Sequence, residues 1–485
     1  MVRILSWNVN GLRALLGKTH LQEFLDTLKA DIVCVQETKT TRDQLDFSAA
    51  TADGYNNYFS FCRGKTGYSG VATFCRQECT PVAAEEGLTG VLKVSTDAIC
   101  CYPIQSDVLN ERLQEIDAEG RAVLTEHVLL DGRNLVLVNV YCPRADCDNV
   151  ERLEYKLAFY NALQQRCQSL QQAGKLVVVV GDLNCCYGKI DSAYEEEEQT
   201  ESGSEDGPSR TWLKSFVLAE GETDGIEYKL VDTYRHLHPN TRQAYSCWST
   251  LTSARSTNYG TRIDYVLMGQ ELVPFLVDAH VMSDVLGSDH CPVYAELSID
   301  LVPASRPPSL CSSYWPECAG KQKKLSACFS ASTTAQGKRL LEEKPWDKPL
   351  AKRAKITSKP GKEKKPVSQG NGKQKTLSSF FTTSKQNDTT QVLTEETRES
   401  TKSTTDLMDK REPVPSKGLN EKWKQLLKGP QKPPLCEGHK EPCVRRKVKK
   451  EGQNFGKEFF VCARPAGSKD NAAARCDHFQ WAEKR

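Results

Sequence analysis

The chain has 485 residues and a formal net charge of +2, a small number that hides a division. Residues 1–300 carry 26 Lys and Arg against 43 Asp and Glu, a net −17, whereas residues 301–485 carry 39 against 20, a net +19. No apolar run approaches the roughly 20 residues that span a bilayer, and no apolar leader precedes Trp7, so the 20 cysteines are expected as thiols in a soluble intracellular protein rather than as disulfides.

Short apolar runs predict buried strands at Val2–Trp7, Asp31–Val35, Asn134–Val140, Lys175–Val180 and Ile263–Met268. Val150, Leu153, Leu157, Tyr160, Leu163, Cys167 and Leu170 recur at three-to-four spacing, which predicts a helix over 149–173 that Gly174 stops. Strands alternating with helices imply a mixed α/β core in residues 1–302. The acidic stretch 195–209 lacks apolar anchors and predicts a flexible surface insertion. Residues 303–430, rich in Lys, Ser, Thr and Pro, predict a disordered basic linker. Order is expected again over 431–485, where Cys, His and aromatic residues gather. A basic second half suits a polyanionic partner, nucleic acid first.

Polar residues suited to chemistry stand just beyond the apolar runs. Asn8 follows VRILSW, Glu37 follows DIVCVQ, and Tyr141 follows NLVLVNV. Asp182 and Asn184 follow KLVVVVG, Asp264 lies in TRIDYVLM, and Asp289 and His290 lie in LGSDHCPVY. Strand ends open onto a sheet edge, where sites form. Carboxylate oxygens suit Mg²⁺, a hard cation, and a His beside them suits charge stabilisation on a phosphate. Singly, each residue reads more readily as a turn former or helix cap than as a catalytic group.

Together, WNVNGLRA (7–14), QETK (36–39), GDLN (181–184), RIDYVL (262–267) and GSDHCP (287–292) resemble, in order and spacing, the exonuclease III family of abasic-site endonucleases. The resemblance implies a four-layered α/β sandwich, two packed sheets flanked by helices. It implies Asp182 as the residue that orients or deprotonates the attacking water, with Asn184 beside it. His290 would contact the scissile phosphate, and Asp264 would orient His290. Glu37 would bind Mg²⁺ (or Mn²⁺), with Asn8 and Asp289 in the metal network and Tyr141 near the phosphate. Asn10 stands where many relatives have Asp, and Arg144 replaces an Asn-type residue. Cys247 and Thr261 stand where efficient abasic-site cleavers place aromatics around the sugar pocket. Weak abasic-site cleavage is therefore expected beside stronger 3′–5′ exonuclease or 3′-phosphodiesterase action.

In the tail, QKTLSSFF (374–381) spaces Gln374, Leu377, Phe380 and Phe381 as one helical turn with an apolar face, and it matches the sliding-clamp-binding box. QKKLSACF (322–329) is a weaker copy, with Cys328 at the first aromatic position. Basic clusters at Lys338-Arg339 and Lys352–Lys355 resemble a nuclear import signal; a mitochondrial pool stays open. Cys436, His439, Cys462 and Cys476 form a plausible structural zinc set, with Cys443 and His478 as spare ligands. GKEFFVCARP (456–465) resembles the small fingers named for a Gly-Arg-Phe signature, with Lys457 at the Arg position. Lys457, Phe459 and Arg464 are the candidates for contact with single-stranded DNA. The expectation is a monomeric, clamp-tethered nuclease acting on abasic sites and 3′ ends, away from membranes. Two alternatives remain: a lipid phosphodiesterase of the same fold, and an inactive scaffold that binds clamp and DNA.

Overall fold

The computed structural model describes residues 1–318 and 433–482, apart from 18–19, 93–96, 103–109, 146–148, 195–205, 220, 223–225 and 451. These residues belong to one compact unit. The clamp-like segments and the basic clusters lie outside the described residues.

The central strands form where the sequence concentrates Val, Ile and Leu, and motif residues stand at or beside their ends. In chain order they are β1 (Val2–Asn8), β2 (Ile32–Gln36), β3 (Tyr55–Ser60), β4 (Val71–Arg76), β5 (Ala83–Glu86), β6 (Ala122–Leu129), β7 (Asn134–Tyr141) and β8 (Leu176–Asp182). They continue as β9 (Leu230–Asp232), β10 (Cys247–Trp248), β11 (Gly260–Thr261), β12 (Asp264–Gly269), β13 (Leu276–Val281), β14 (Val293–Leu297) and β15 (Leu301–Val302). One sheet runs β13-β14-β1-β2-β4-β3; the other runs β15-β6-β7-β8-β12-β9, with β5 added beside β6.

The two sheets pack face to face over a shared apolar cluster that includes Ile4, Val71, Leu137, Val178 and Val266. A second cluster seats the helix Val150–Gln172 on the outer face of the β6–β8 sheet through Phe159, Tyr160, Leu163, Cys167 and Leu170. Asn149 caps that helix by accepting from the Arg152 amide at 2.9 Å, and Gly174, at φ +77°, ends it as expected. A third cluster seats the helix Leu21–Leu28 on the outer face of the β1–β2 sheet. Helix, sheet, sheet and helix make the four layers that the motif resemblance implied.

Two boundaries move. Residues 303–318 belong to the core rather than to the linker expected from 303. Cys311 and Cys318 are buried, Ser312 Oγ donates to the Ala50 carbonyl at 2.6 Å, and Trp315 packs on Phe59 and Phe61. A few well-spaced anchors suffice where a surface is ready to receive them. Similarly, the loop expected over 195–209 gives way to helix at its end: Pro208 opens the helix Pro208–Phe216, and Asp206, just before it, pairs with Arg210 and Lys214 on it.

In the C-terminal part, β16 (Val444–Lys447), β17 (Glu458–Val461) and β18 (Phe479–Trp481) form an antiparallel sheet. Its buried apolar cluster is Cys436, Cys443, Phe460 and Cys462.

Candidate active site and zinc centre

The strand ends of both sheets meet at one edge. Asn8 ends β1 opposite Gln36 of β2, and Glu37 follows at once. In the facing sheet, Tyr141 of β7 and Asp264 of β12 both pair with Asp182 of β8. Gly181 lets β8 come this close to β7, because a Cβ there would stand 1.8 Å from the Val140 carbonyl oxygen. Asn10, Glu37, Lys39 and Asn184 all hold left-handed φ, between 48° and 53°. Such backbone strain gathers where a site over-determines the chain.

Asp182 is 1% exposed. Burial and the neighbouring Asp264 carboxylate push its pKa up to about 7, against the pull of His290 and the Asn8 amide. Asn8 Nδ2 donates to Asp182 at 2.9 Å and to Glu37 at 2.8 Å, cross-linking the two sheets' carboxylates. The Asn184 amide donates to Asp182 at 2.8 Å, and its side chain reaches the Cys142 carbonyl and Asp182.

His290 Nδ1 lies 2.8 Å from Asp264 Oδ2, and Nε2 lies 3.9 Å from Asp182. Burial opposes charge on the imidazole, but Asp264 outweighs it and holds the pKa well above the usual value. Asp264 also accepts from the Ser246 hydroxyl at 2.6 Å, and Trp7 Nε1 donates to the His290 carbonyl at 3.2 Å. Ser246 and Trp7 are supports that the motif reading did not single out.

Glu37, Asp182 and His290 offer ligand atoms within 4.8 Å of one another. Burial works against a charged Glu37, yet the Asn8 amide, Lys39 and the Tyr141 hydroxyl hold its carboxyl below the usual range. The Lys39 ammonium stands 2.6 Å from Glu37, so this carboxylate already faces a cation. The oxygen-rich donor set fits a hard divalent ion. Asp289 lies one step outside, accepting from Asn10 Nδ2 at 2.8 Å and from Ser288. Cys247 and Thr261 are direct cross-strand partners on β10 and β11. Cys247 also bridges to His290, so both departures from the aromatic pattern stand at the site. Arg144 is exposed beyond β7.

In the finger, Cys436, His439, Cys462 and Cys476 converge as a metal-binding group, and Cys443 and His478 stay outside it. His439 Nδ1 lies 3.7 and 3.5 Å from the Cys436 and Cys462 sulfurs. Zinc bonds of about 2.0 and 2.3 Å at a tetrahedral angle give an edge of about 3.5 Å. Phe459, Phe479 and Trp481 share one face of β17 and β18, with Phe479 52% and Trp481 43% exposed. Lys457 Nζ stands 5.7 Å from the Trp481 ring. Arg464 instead grips Glu441 within the finger.

The chain belongs to the Endonuclease/Exonuclease/phosphatase family, whose model matches residues 5–290. The model described as GRF zinc finger matches residues 434–485, and with the converging ligand group this makes the C-terminal site a structural zinc centre. Over its whole length the chain is similar to proteins named DNA-(apurinic or apyrimidinic site) endonuclease 2. It is 41% identical to that of Xenopus laevis, over 100% of this chain and 99% of the relative. It is 38% identical to that of Homo sapiens, over 99% of each. A Bacillus subtilis protein named exodeoxyribonuclease is 32% identical over 62% of this chain and 100% of its own. The crystal structure of the Xenopus laevis APE2 catalytic domain matches with a TM-score of 0.59 at 44% identity, over 66% of this chain and 99% of that one.

Proposed function

We propose that the chain is a DNA-repair nuclease that hydrolyses phosphodiester bonds at 3′ ends, with weaker cleavage at abasic sites. The observation that carries this reading is the buried Asp264–His290 pair set against Asp182 and Glu37 at one sheet edge. Asp182, with a pKa near neutrality, accepts the proton of the attacking water, and the Asn184 amide fixes its orientation. His290, kept protonated by Asp264, faces the phosphate and offsets charge on its oxygens. Tyr141 and Asn8 hold Glu37 in place. Magnesium or manganese, held by Glu37 with Asn8 and Asp289 in its network, would supply Lewis-acid stabilisation of the phosphoryl charge.

The test is incubation of the protein and Mg²⁺ with labelled 3′-recessed and abasic duplexes. Resection of the recessed end should outpace incision at the abasic site. No cleavage of either DNA would favour the scaffold reading.

Gln374, Leu377, Phe380 and Phe381 dock on a sliding clamp, and the basic clusters direct the monomer to the nucleus. Lys457 and Phe459, now joined by Phe479 and Trp481, contact single-stranded DNA. Phe380→Ala with Phe381→Ala should abolish clamp-stimulated resection and spare basal hydrolysis. Clamp binding at full strength would transfer the role to 322–329.

A further inference from the structure

The turn at Ala466 and Gly467 of the finger lies against residues 250–258 of the nuclease core. Ala466 N donates to the Thr252 carbonyl at 2.9 Å, and the Thr257 hydroxyl donates to the Ala466 carbonyl. Both backbone groups of one finger residue are thus satisfied by the core, which fixes its register there. Arg446 of β16 adds a bond from Nη2 to the Leu251 carbonyl at 2.9 Å. Ala466 is 4% exposed and, among the described residues, is the only finger residue in the apolar cluster between the two sheets. A Cβ on Gly467 would stand 3.3 Å from Thr257 Cβ, so the turn fits with little to spare.

The seat touches the active-site loop on its other side. Arg255, within the same segment, donates to the carbonyls of Ser283, Val285 and Ser288 and lies 4.5 Å over the Trp248 ring. Asp289 and His290 follow directly, and the Trp248 amide donates to the Asp289 carbonyl at 3.0 Å. Charge favours the contact as well. Residues 433–482 carry ten Lys and Arg against six Asp and Glu, whereas residues 1–300 are net −17.

We propose that the finger docks on 250–258 of its own chain, so that a single strand held on its aromatic face is presented in cis to the site beside it. The delivery half rests on the proposed DNA binding of the finger; the docking half does not.

The test uses the full-length zinc-loaded protein and two variants, Thr257→Arg on the core side and Arg446→Glu on the finger side. Hydrogen exchange at the Ala466 amide reports docking. It should be at least tenfold slower in the parent protein than in Thr257→Arg, and intermediate in Arg446→Glu. Both variants should retain one equivalent of zinc, which shows that the finger still folds. An Ala466 amide that exchanges equally fast in all three proteins would overturn docking. KM for a duplex recessed at its 3′ end and bearing a long single-stranded overhang reports delivery, and it should rise several-fold in Thr257→Arg. Protection lost with KM unchanged would overturn delivery alone. Failure of the parent protein to bind a single-stranded oligonucleotide would remove the DNA reading of the finger and leave the docking result standing.

Discussion

Residues 1–318 bury three apolar clusters, between the sheets and under the helices on either side. Residues 433–482 bury four residues in their own cluster, and two of those are zinc ligands. The nuclease unit is therefore held by burial of apolar surface, and the finger by coordination bonds to side chains that would otherwise be free thiols and an imidazole. The same contrast separates the two functional surfaces. The proposed catalytic groups sit at the ends of strands buried over most of their length, and buried hydrogen bonds fix them. The aromatic face of β17 and β18 lies open on a sheet whose order depends on the metal.

The largest expected effect follows from that contrast. Removing zinc, by chelation or by Cys436→Ala, should unfold the finger outright, since structural zinc supplies on the order of 10 kcal/mol to domains of this size. The melting of the nuclease unit should stay within about 2 °C, read by calorimetry. A matching collapse of the main transition would mean that the core depends on the finger for stability.

Next in size is Asp182→Asn, which should lower kcat by about 10²–10⁴-fold, the usual contribution of a positioned proton acceptor. It should also stabilise the metal-free fold above neutral pH. The folded pKa of Asp182 lies above the unfolded value, so its ionisation costs stability as pH rises from about 4 to about 7. The Asn variant lacks that loss. Retention of more than a tenth of parental kcat, or a pH–stability profile identical to the parent's, would remove Asp182 from its role.

Much of the catalytic unit was legible because its signals are local. Asn134–Tyr141 and Leu176–Asp182 run only one or two residues past the predicted strands, and the helix at 150–172 matches its apolar stripe. The motif residues converge because Asn8, Glu37, Tyr141 and Asp182 end or follow their strands, whereas Asp264 opens β12 and His290 precedes β14, which run antiparallel to β8 and β1. Sheet order was not legible, since β14-β1 and β4-β2 pairing joins segments far apart in sequence. Arg262 shows another limit. It lies inside a recognised motif, yet it is buried against Asp191 and Asp232 and serves the fold. Ser246 carries no pattern at all. Phe479 and Trp481 did carry one, because the two-residue spacing in HFQW marks one face of a strand. Residues 303–318 hide four anchors, Cys311, Ser312, Trp315 and Cys318, in a polar stretch that composition alone reads as linker.

A third prediction tests the open face of the finger. Trp481→Ala should weaken single-strand binding by about tenfold or more, within the roughly 1–3 kcal/mol of a stacked base. Zinc content should not change, because the ring is exposed and not a ligand. Arg464→Ala should act differently. Its guanidinium is committed to Glu441, so the expected loss is in finger stability, and anisotropy titration of the folded, zinc-loaded variant should give near-parental affinity. A reversal of these two outcomes would return Arg464 to the strand-binding surface and remove Trp481.

The smallest expected effect concerns substrate preference at the site itself. Cys247 and Thr261 face each other across β10 and β11, and Cys247 adjoins His290. Side chains of this size leave an extrahelical sugar little apolar surface to bury. Introducing Phe at 247 and Trp at 261 adds two rings beside the position that His290 faces. Burying even part of one ring contributes about 1–1.5 kcal/mol, which converts to about tenfold in rate if the contact forms only as the sugar is cleaved. The double variant should therefore raise the ratio of abasic incision to 3′ resection by about tenfold. The ratio, measured in one preparation, cancels differences in active fraction. Each single variant should give less than half of the free-energy change, because one wall without its partner leaves the sugar exposed on the open side. An unchanged ratio in a folded double variant would show that the pocket walls do not set the preference. The weak abasic-site cleavage proposed for the chain would then have to arise elsewhere, and Asn10, which joins Lys39 to Asp289 beside Glu37, is the next residue to change.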